Sequence, residues 1–138
     1  MRLLAAALLL AFLLLLVCAL WWDLRATLWA MNYQRQIRGY LLMLNKLGQD
    51  YLPTQQVFPL LPLTSIGRSP SNTIIIDQHY ASGEHALIAL RSGQWWLEDR
   101  NSRNGTLLNG DLVTQPTILS EGDIISIGDV HLQFTLEK

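Results

Sequence analysis

The stretch E-D-R-N-S-R-N-G-T-L-L-N-G, Glu98 to Gly110, holds two Asn-Gly pairs, Asn104-Gly105 and Asn109-Gly110. Asn-Gly is a strong short signal for a tight hairpin turn, because both residues accept positive φ. Two such signals this close imply short strands between them. They also raise a question: does each pair only reverse the chain, or does one asparagine hold a ligand?

Outward from this stretch, short apolar runs recur with turn signals between them. They predict strands near Val57–Leu60, Leu63–Ile66, Thr73–Ile76, Ala86–Arg91, Trp95–Glu98, Thr106–Leu108, Thr117–Leu119, Ile124–Ile127 and Val130–Leu136. Apolar and polar residues alternate in His131–Leu136, as a half-buried strand requires. No helical pattern of useful length follows Arg38. Many short strands at close spacing predict an antiparallel sandwich or barrel.

The other end of the chain differs. Leu3 to Trp22, LLAAALLLAFLLLLVCALWW, carries no charge. At about 1.5 Å per residue such a helix spans the roughly 30 Å hydrocarbon core of a bilayer. Trp21 and Trp22 stand where an interfacial aromatic belt is expected. A cleaved signal peptide would have a shorter apolar region followed by small residues, and Val17 before Cys18 suits a lipoprotein signal poorly. Residues 1–22 are therefore expected to form one uncleaved transmembrane helix. Arg25, Arg35, Arg38 and Lys46 follow the span, against Arg2 before it, so the positive-inside rule places the C-terminal part in the cytoplasm. Ala7 and Ala11 have small-xxx-small spacing, which leucine-rich spans produce by chance.

Residues 23–37, DLRATLWAMNYQRQI, read as a juxtamembrane helical linker, with Trp29, Tyr33 and Ile37 recurring every four residues. This linker either continues the span or lies along the membrane surface. From Arg38 onward there are seven basic and ten acidic side chains, a net of −3. That balance argues against a nucleic-acid partner, which needs a basic face. The single cysteine, Cys18, excludes an intramolecular disulfide. His79, His85 and His131 show no metal-ligand spacing, and no cofactor is implied.

Four stretches in order carry the functional signal: I-G-R-S-P-S-N-T-I-I-I at 66–76, Y-A-S-G-E-H-A-L-I at 80–88, E-D-R-N-S-R-N-G-T-L-L-N-G at 98–110 and E-G-D-I-I-S-I-G at 121–128. The ordered set of Gly-Arg, Ser-x-x-His, Ser-x-Asn-Gly-Thr and Gly-Asp resembles the forkhead-associated (FHA) domain. The resemblance implies an all-β fold, an antiparallel sandwich of two sheets with about eleven strands. It makes Tyr40–Leu44 the first strand, starts the domain at residue 38 and ends it at 138, and turns Asn45 to Gln56 into a long first loop.

The resemblance also implies a reader of phosphothreonine, whose phosphate carries about −1.5 to −2 charges. Arg68 is then the guanidinium fork on the phosphate, and Ser82 a hydroxyl donor. The N–H of Gly83 is a further donor, Asn104 the amide that bonds the ligand main chain, and Arg103 a residue bordering the ligand. Gly67, His85, Ser102 and Gly105 shape the loops, with His85 buried as a structural residue. Leu97, Trp95, Ile88 and Phe134 are core candidates. Ser82, His85 and Asp99 invite a catalytic-triad reading, but no nucleophile elbow or oxyanion motif accompanies them, so no enzyme is expected. One departure stands out: Gly83 and Glu84 follow Ser82, where family members often carry a polar or basic side chain. That removes a donor and adds an acid.

The whole chain is expected to be a single-pass membrane adaptor. It would recruit phosphorylated partners in Ser/Thr kinase signalling, and it resembles bacterial membrane proteins that act in cell-envelope or division control. A phospho-independent membrane scaffold, binding a partner through a sheet face, is the alternative.

Overall fold

A computed structural model of the chain describes residues 2–36 and 38–137, and the side chains of residues 4–26 and 38–137. The chain divides into two units, Met1–Gln36 and Ile37–Lys138. The first is one helix, α1 (Arg2–Gln36), so the linker continues the span, one of the two arrangements that the sequence left open. Within it, Leu4–Ala26 is long and apolar enough to cross a membrane, with a mean hydropathy of 2.9. The Arg25 guanidinium sits 4.1 Å from the Trp21 ring centre, a cation–π pair one helical turn apart. The stripe expected at Trp29, Tyr33 and Ile37 lies outside the described side chains.

The second unit is a two-sheet sandwich. Its strands are β1 (Gly39–Leu47), β2 (Asp50–Pro59), β3 (Leu63–Gly67), β4 (Ile74–Ile75), β5 (Ala86–Arg91), β6 (Gln94–Asp99), β7 (Leu107–Leu108), β8 (Asp111–Leu112), β9 (Thr117–Ile118), β10 (Ile124–Ile127) and β11 (Val130–Leu136). One sheet has the order β2-β1-β11-β10-β7-β8, the other β4-β3-β5-β6-β9. Pairing is antiparallel except between β3 and β4, which run parallel.

Alternation sets which faces meet. Leu41, Ile125, Leu132 and Phe134 of the first sheet pack against Ile66, Ile88, Trp95 and Leu97 of the second. Trp95 meets Phe134 edge to face, with ring centres 6.4 Å apart. Each of these large side chains contributes about 1.5–3 kcal/mol by burial. The four core candidates named from the sequence all lie here.

The predicted long loop from Asn45 to Gln56 is not a loop. Residues 44–47 pair with 50–53 around a two-residue turn at Gly48 and Gln49, and Gly48 has φ +66°, as a type II′ hairpin turn demands. Loop-like residues are tolerated because β2 is an edge strand, mostly exposed on both faces. Pro53 costs no ladder bond on the open edge. β2 also bulges opposite Met43, between the pairs Leu42↔Val57 and Leu44↔Pro53.

The registers give the sandwich two distinct ends. Leu60 N–H bonds Gly39 O (2.9 Å), Leu90 N–H bonds Pro62 O (2.8 Å) and Glu137 N–H bonds Arg38 O (2.8 Å), which gathers the entry and exit of the domain at one end. β3 runs from that end to Gly67, so the β3–β4, β4–β5 and β6–β7 loops gather at the other.

Candidate functional site

Three loops are stitched together at that second end, and the stitching begins at Gly67. Arg68 N–H bonds Ser82 O (2.9 Å) and Ser69 N–H bonds Gly83 O (3.0 Å). Asn72 Nδ2 adds bonds to Gly83 O (2.6 Å) and Ser69 O (2.8 Å). The backbones approach so closely that a Cβ on Gly67 would lie 2.9 Å from both His85 N and Ser82 O. Only glycine fits there.

His85 joins the second loop to the third. Its Nδ1 accepts the Ser82 N–H (3.0 Å), so the ring proton of the neutral imidazole sits on Nε2 and is donated to Gly105 O (3.0 Å). The ring is fully buried. Both nitrogens are therefore committed to backbone groups. The triad geometry is not assembled, because His85 bonds the amide of Ser82 and not its hydroxyl.

Asp99 organises the third loop. Its carboxylate accepts from Ser102 Oγ (2.5 Å), Ser102 N–H (3.0 Å) and Thr106 Oγ1 (2.7 Å). Burial pushes this carboxyl up, but the hydrogen bonds from Ser102 and Thr106 outweigh burial and hold it below its ordinary value. Ser102 Oγ also accepts from Gly105 N–H (3.0 Å), and Gly105 has φ +85°. Arg103 N–H reaches across to Ser82 Oγ (3.0 Å), and Asn104 Nδ2 donates to Tyr80 O (2.7 Å).

Arg68, Ser82, Gly83, Arg103 and Asn104 thus share one end of the sandwich. Arg68, Gly83, Arg103 and Asn104 are exposed, and Ser82 is half-buried. Among the described residues, the guanidinium groups of Arg68 and Arg103 meet no carboxylate. The Ser82 hydroxyl accepts a bond but keeps its own proton to donate, and the Gly83 N–H has no acceptor among the described residues. A Cβ on Gly83 would meet nothing within 4 Å. Glu84 does not stand as a lone acid: its Oε1 is 3.0 Å from Arg100 Nε.

Three contributors were not singled out from the sequence. Asn72 buttresses two loops, the Tyr80 carbonyl orients Asn104, and Asp99 was weighed only as a triad member. Asp99 had a readable signal, an acid three residues before Ser102 in an Asx-type arrangement. The other two act through contacts eleven and twenty-four residues away along the chain.

A family model described as FHA domain matches residues 64–128. The FHA domain-containing protein FhaB of Mycobacterium tuberculosis is 30% identical over 110 residues, covering 80% of this chain and 68% of that protein. The chain belongs to the FHA family. FHA domains are protein-interaction modules. A structure described as belonging to phosphothreonine-dependent FHA domain interactions superposes with a TM-score of 0.62, at 24% identity, over 73% of this chain and 98% of that one, a likeness of fold. The FhaA FHA domain, in complex with the intracellular domain of Rv3910, superposes with a TM-score of 0.58 at 25% identity, over 70% of this chain and 98% of that one.

Proposed function

We propose that this protein is a membrane-anchored adaptor whose FHA domain, from residue 38 to 138, binds phosphothreonine in partner proteins. The observation that carries the reading is the set of uncommitted donors held on braced loops: the Arg68 guanidinium, the Ser82 hydroxyl and the Gly83 N–H. Donors that need no rearrangement bind a dianion with little ordering cost. A guanidinium suits phosphate oxygens in a bidentate fork. Asn104, held by Tyr80 O through one amide hydrogen, keeps its Oδ1 for a ligand N–H.

The helix supports the anchoring half. Leu4–Ala26 has the length and hydropathy of a span, and the Lys and Arg residues that follow it favour a cytoplasmic domain. Such a protein would gather phosphorylated clients of a Ser/Thr kinase at the membrane, in the manner of bacterial adaptors of cell-envelope or division control. The interaction of the FhaA domain with another protein's intracellular domain supports a protein client.

Calorimetry of the full-length chain in detergent micelles, with matched threonine and phosphothreonine peptides, tests the reading. Binding is expected for the phosphorylated peptide alone and is abolished by Arg68→Ala. Equal affinity for both peptides, unchanged in Arg68→Ala, would instead establish the phospho-independent scaffold.

A further inference from the structure

A groove of about 600 Å³ opens beside the phosphate loops, against the outer face of the β3–β5 pair. Its floor is mixed, with Leu63 and Leu87 beside Ser65 and Thr73. Ser65 pairs with Leu87 and Leu63 with Ala89, so Leu63 and Leu87 share that face, and Leu63 is 62% exposed. One wall is the Glu84–Arg100 pair. Gly83 and Ser69, which tie the first two loops together, also line the groove, so it is continuous with the donor set.

We propose that this groove takes a basic side chain, Lys or Arg, from one flank of the phosphothreonine peptide, with Glu84 as its counter-charge. The proposal rests on the phosphothreonine reading above. The groove has the two halves that such a side chain needs: the apolar side chains of Leu63 and Leu87 for the methylene stem and a carboxylate for the head. Arg100 occupies Oε1 of Glu84 from one side, and Oε2 bonds nothing among the described residues. A ligand cation therefore adds to the existing pair and does not have to displace Arg100. An acidic ligand side chain would meet Glu84 as a like charge. The acid that departs from the family pattern thus discriminates among ligands: it disfavours acidic flanks and favours basic ones.

The test is calorimetry on the full-length chain in nanodiscs of zwitterionic lipid. The probes are alanine-background peptides centred on phosphothreonine, carrying Lys, norleucine or Glu at each flanking position in turn. On one flank, Lys is expected to bind about 1.5- to fivefold tighter than norleucine, the range for an exposed ion pair, and Glu more weakly than either. Norleucine controls for the floor alone. Glu84→Gln is expected to erase the Lys preference. Arg100→Gln, which frees Glu84, is expected to enlarge it. A merely structural ion pair would make these two variants behave alike. The proposal is overturned if Lys never exceeds norleucine, or if its advantage persists in Glu84→Gln. Phosphate-dependent binding without any flank preference sinks the groove alone. Binding that ignores the phosphate sinks both readings.

Discussion

The buried imidazole of His85 lies 3.0 Å from Gly105 O and, through its other nitrogen, 3.0 Å from Ser82 N. One side chain thereby fixes the spacing between the loop that offers Ser82 and the loop that offers Asn104. His85→Ala removes both bonds, leaves the Ser82 N–H and the Gly105 carbonyl without this partner and opens a cavity. It should cost about 3–5 kcal/mol of stability. Ser82→Ala, in contrast, removes only an acceptor for Arg103 N–H and should cost about 1 kcal/mol while weakening phosphopeptide binding at least tenfold. Urea denaturation and calorimetry on the same two variants check this. If Ser82→Ala destabilises as much as His85→Ala, the assignment of His85 as the coupling residue is wrong.

The two glycines of the site should respond in opposite ways. Gly67→Ala pushes a Cβ into the backbone of the second loop and should destabilise the domain by about 2 kcal/mol or more, as overpacking does. Gly83→Lys meets open space and should change stability by less than about 0.5 kcal/mol. It restores a cation next to Ser82 and should tighten phosphopeptide binding severalfold, an effect that falls at high salt. Thermal unfolding and titration at two ionic strengths separate these outcomes.

Asp99 gives the fold an acid-sensitive brace. Its folded-state value lies below its ordinary one. The stability it contributes is therefore fully present above the ordinary carboxyl value, about 3.9, and is lost as pH falls through the lower folded value. Asp99→Asn should lower stability at neutral pH by about 1–3 kcal/mol, as for hydrogen bonds to a charged group. The gap to the parent protein should narrow below about pH 4. Denaturation curves at pH 7 and pH 3 test this. A gap that stays constant would mean that the carboxylate charge is not what braces the loop.

What could be read in advance follows from which interactions leave a local trace. β5 was legible as an apolar run between turn signals, buried or half-buried at every position but Arg91, and the inner strands β3, β6, β10 and β11 were found as similar short runs. β2 was mistaken for a loop over much of its length because an edge strand exposed on both faces has no burial pattern to read. β8, only Asp111–Leu112, is too short to carry any period. In the site, Arg68, Ser82 and Asn104 belong to a spaced motif and could be named. Asn72 and the Tyr80 carbonyl could not, because they act across loops through a backbone partner that any residue would supply.

The two Asn-Gly pairs differ more than their sequence suggests. Asn109 is more than a plain turn residue. It has φ +51° and begins the two-residue turn between β7 and β8. Its Oδ1 accepts Ile124 N–H (2.9 Å) and its Nδ2 donates to Asp123 Oδ1 (2.9 Å), so it ties that hairpin to β10. Asn109→Ala loses both bonds and places a Cβ residue without asparagine's local support at positive φ. It should cost about 2–3 kcal/mol with peptide affinity unchanged at temperatures where the domain stays folded. Asn104 is exposed, has no positive φ and makes one bond, to Tyr80 O. Asn104→Ala should cost under about 1 kcal/mol yet weaken phosphopeptide binding at least tenfold. Measuring both variants in both assays decides the matter: equal losses of affinity would show that Asn104 acts only through the fold.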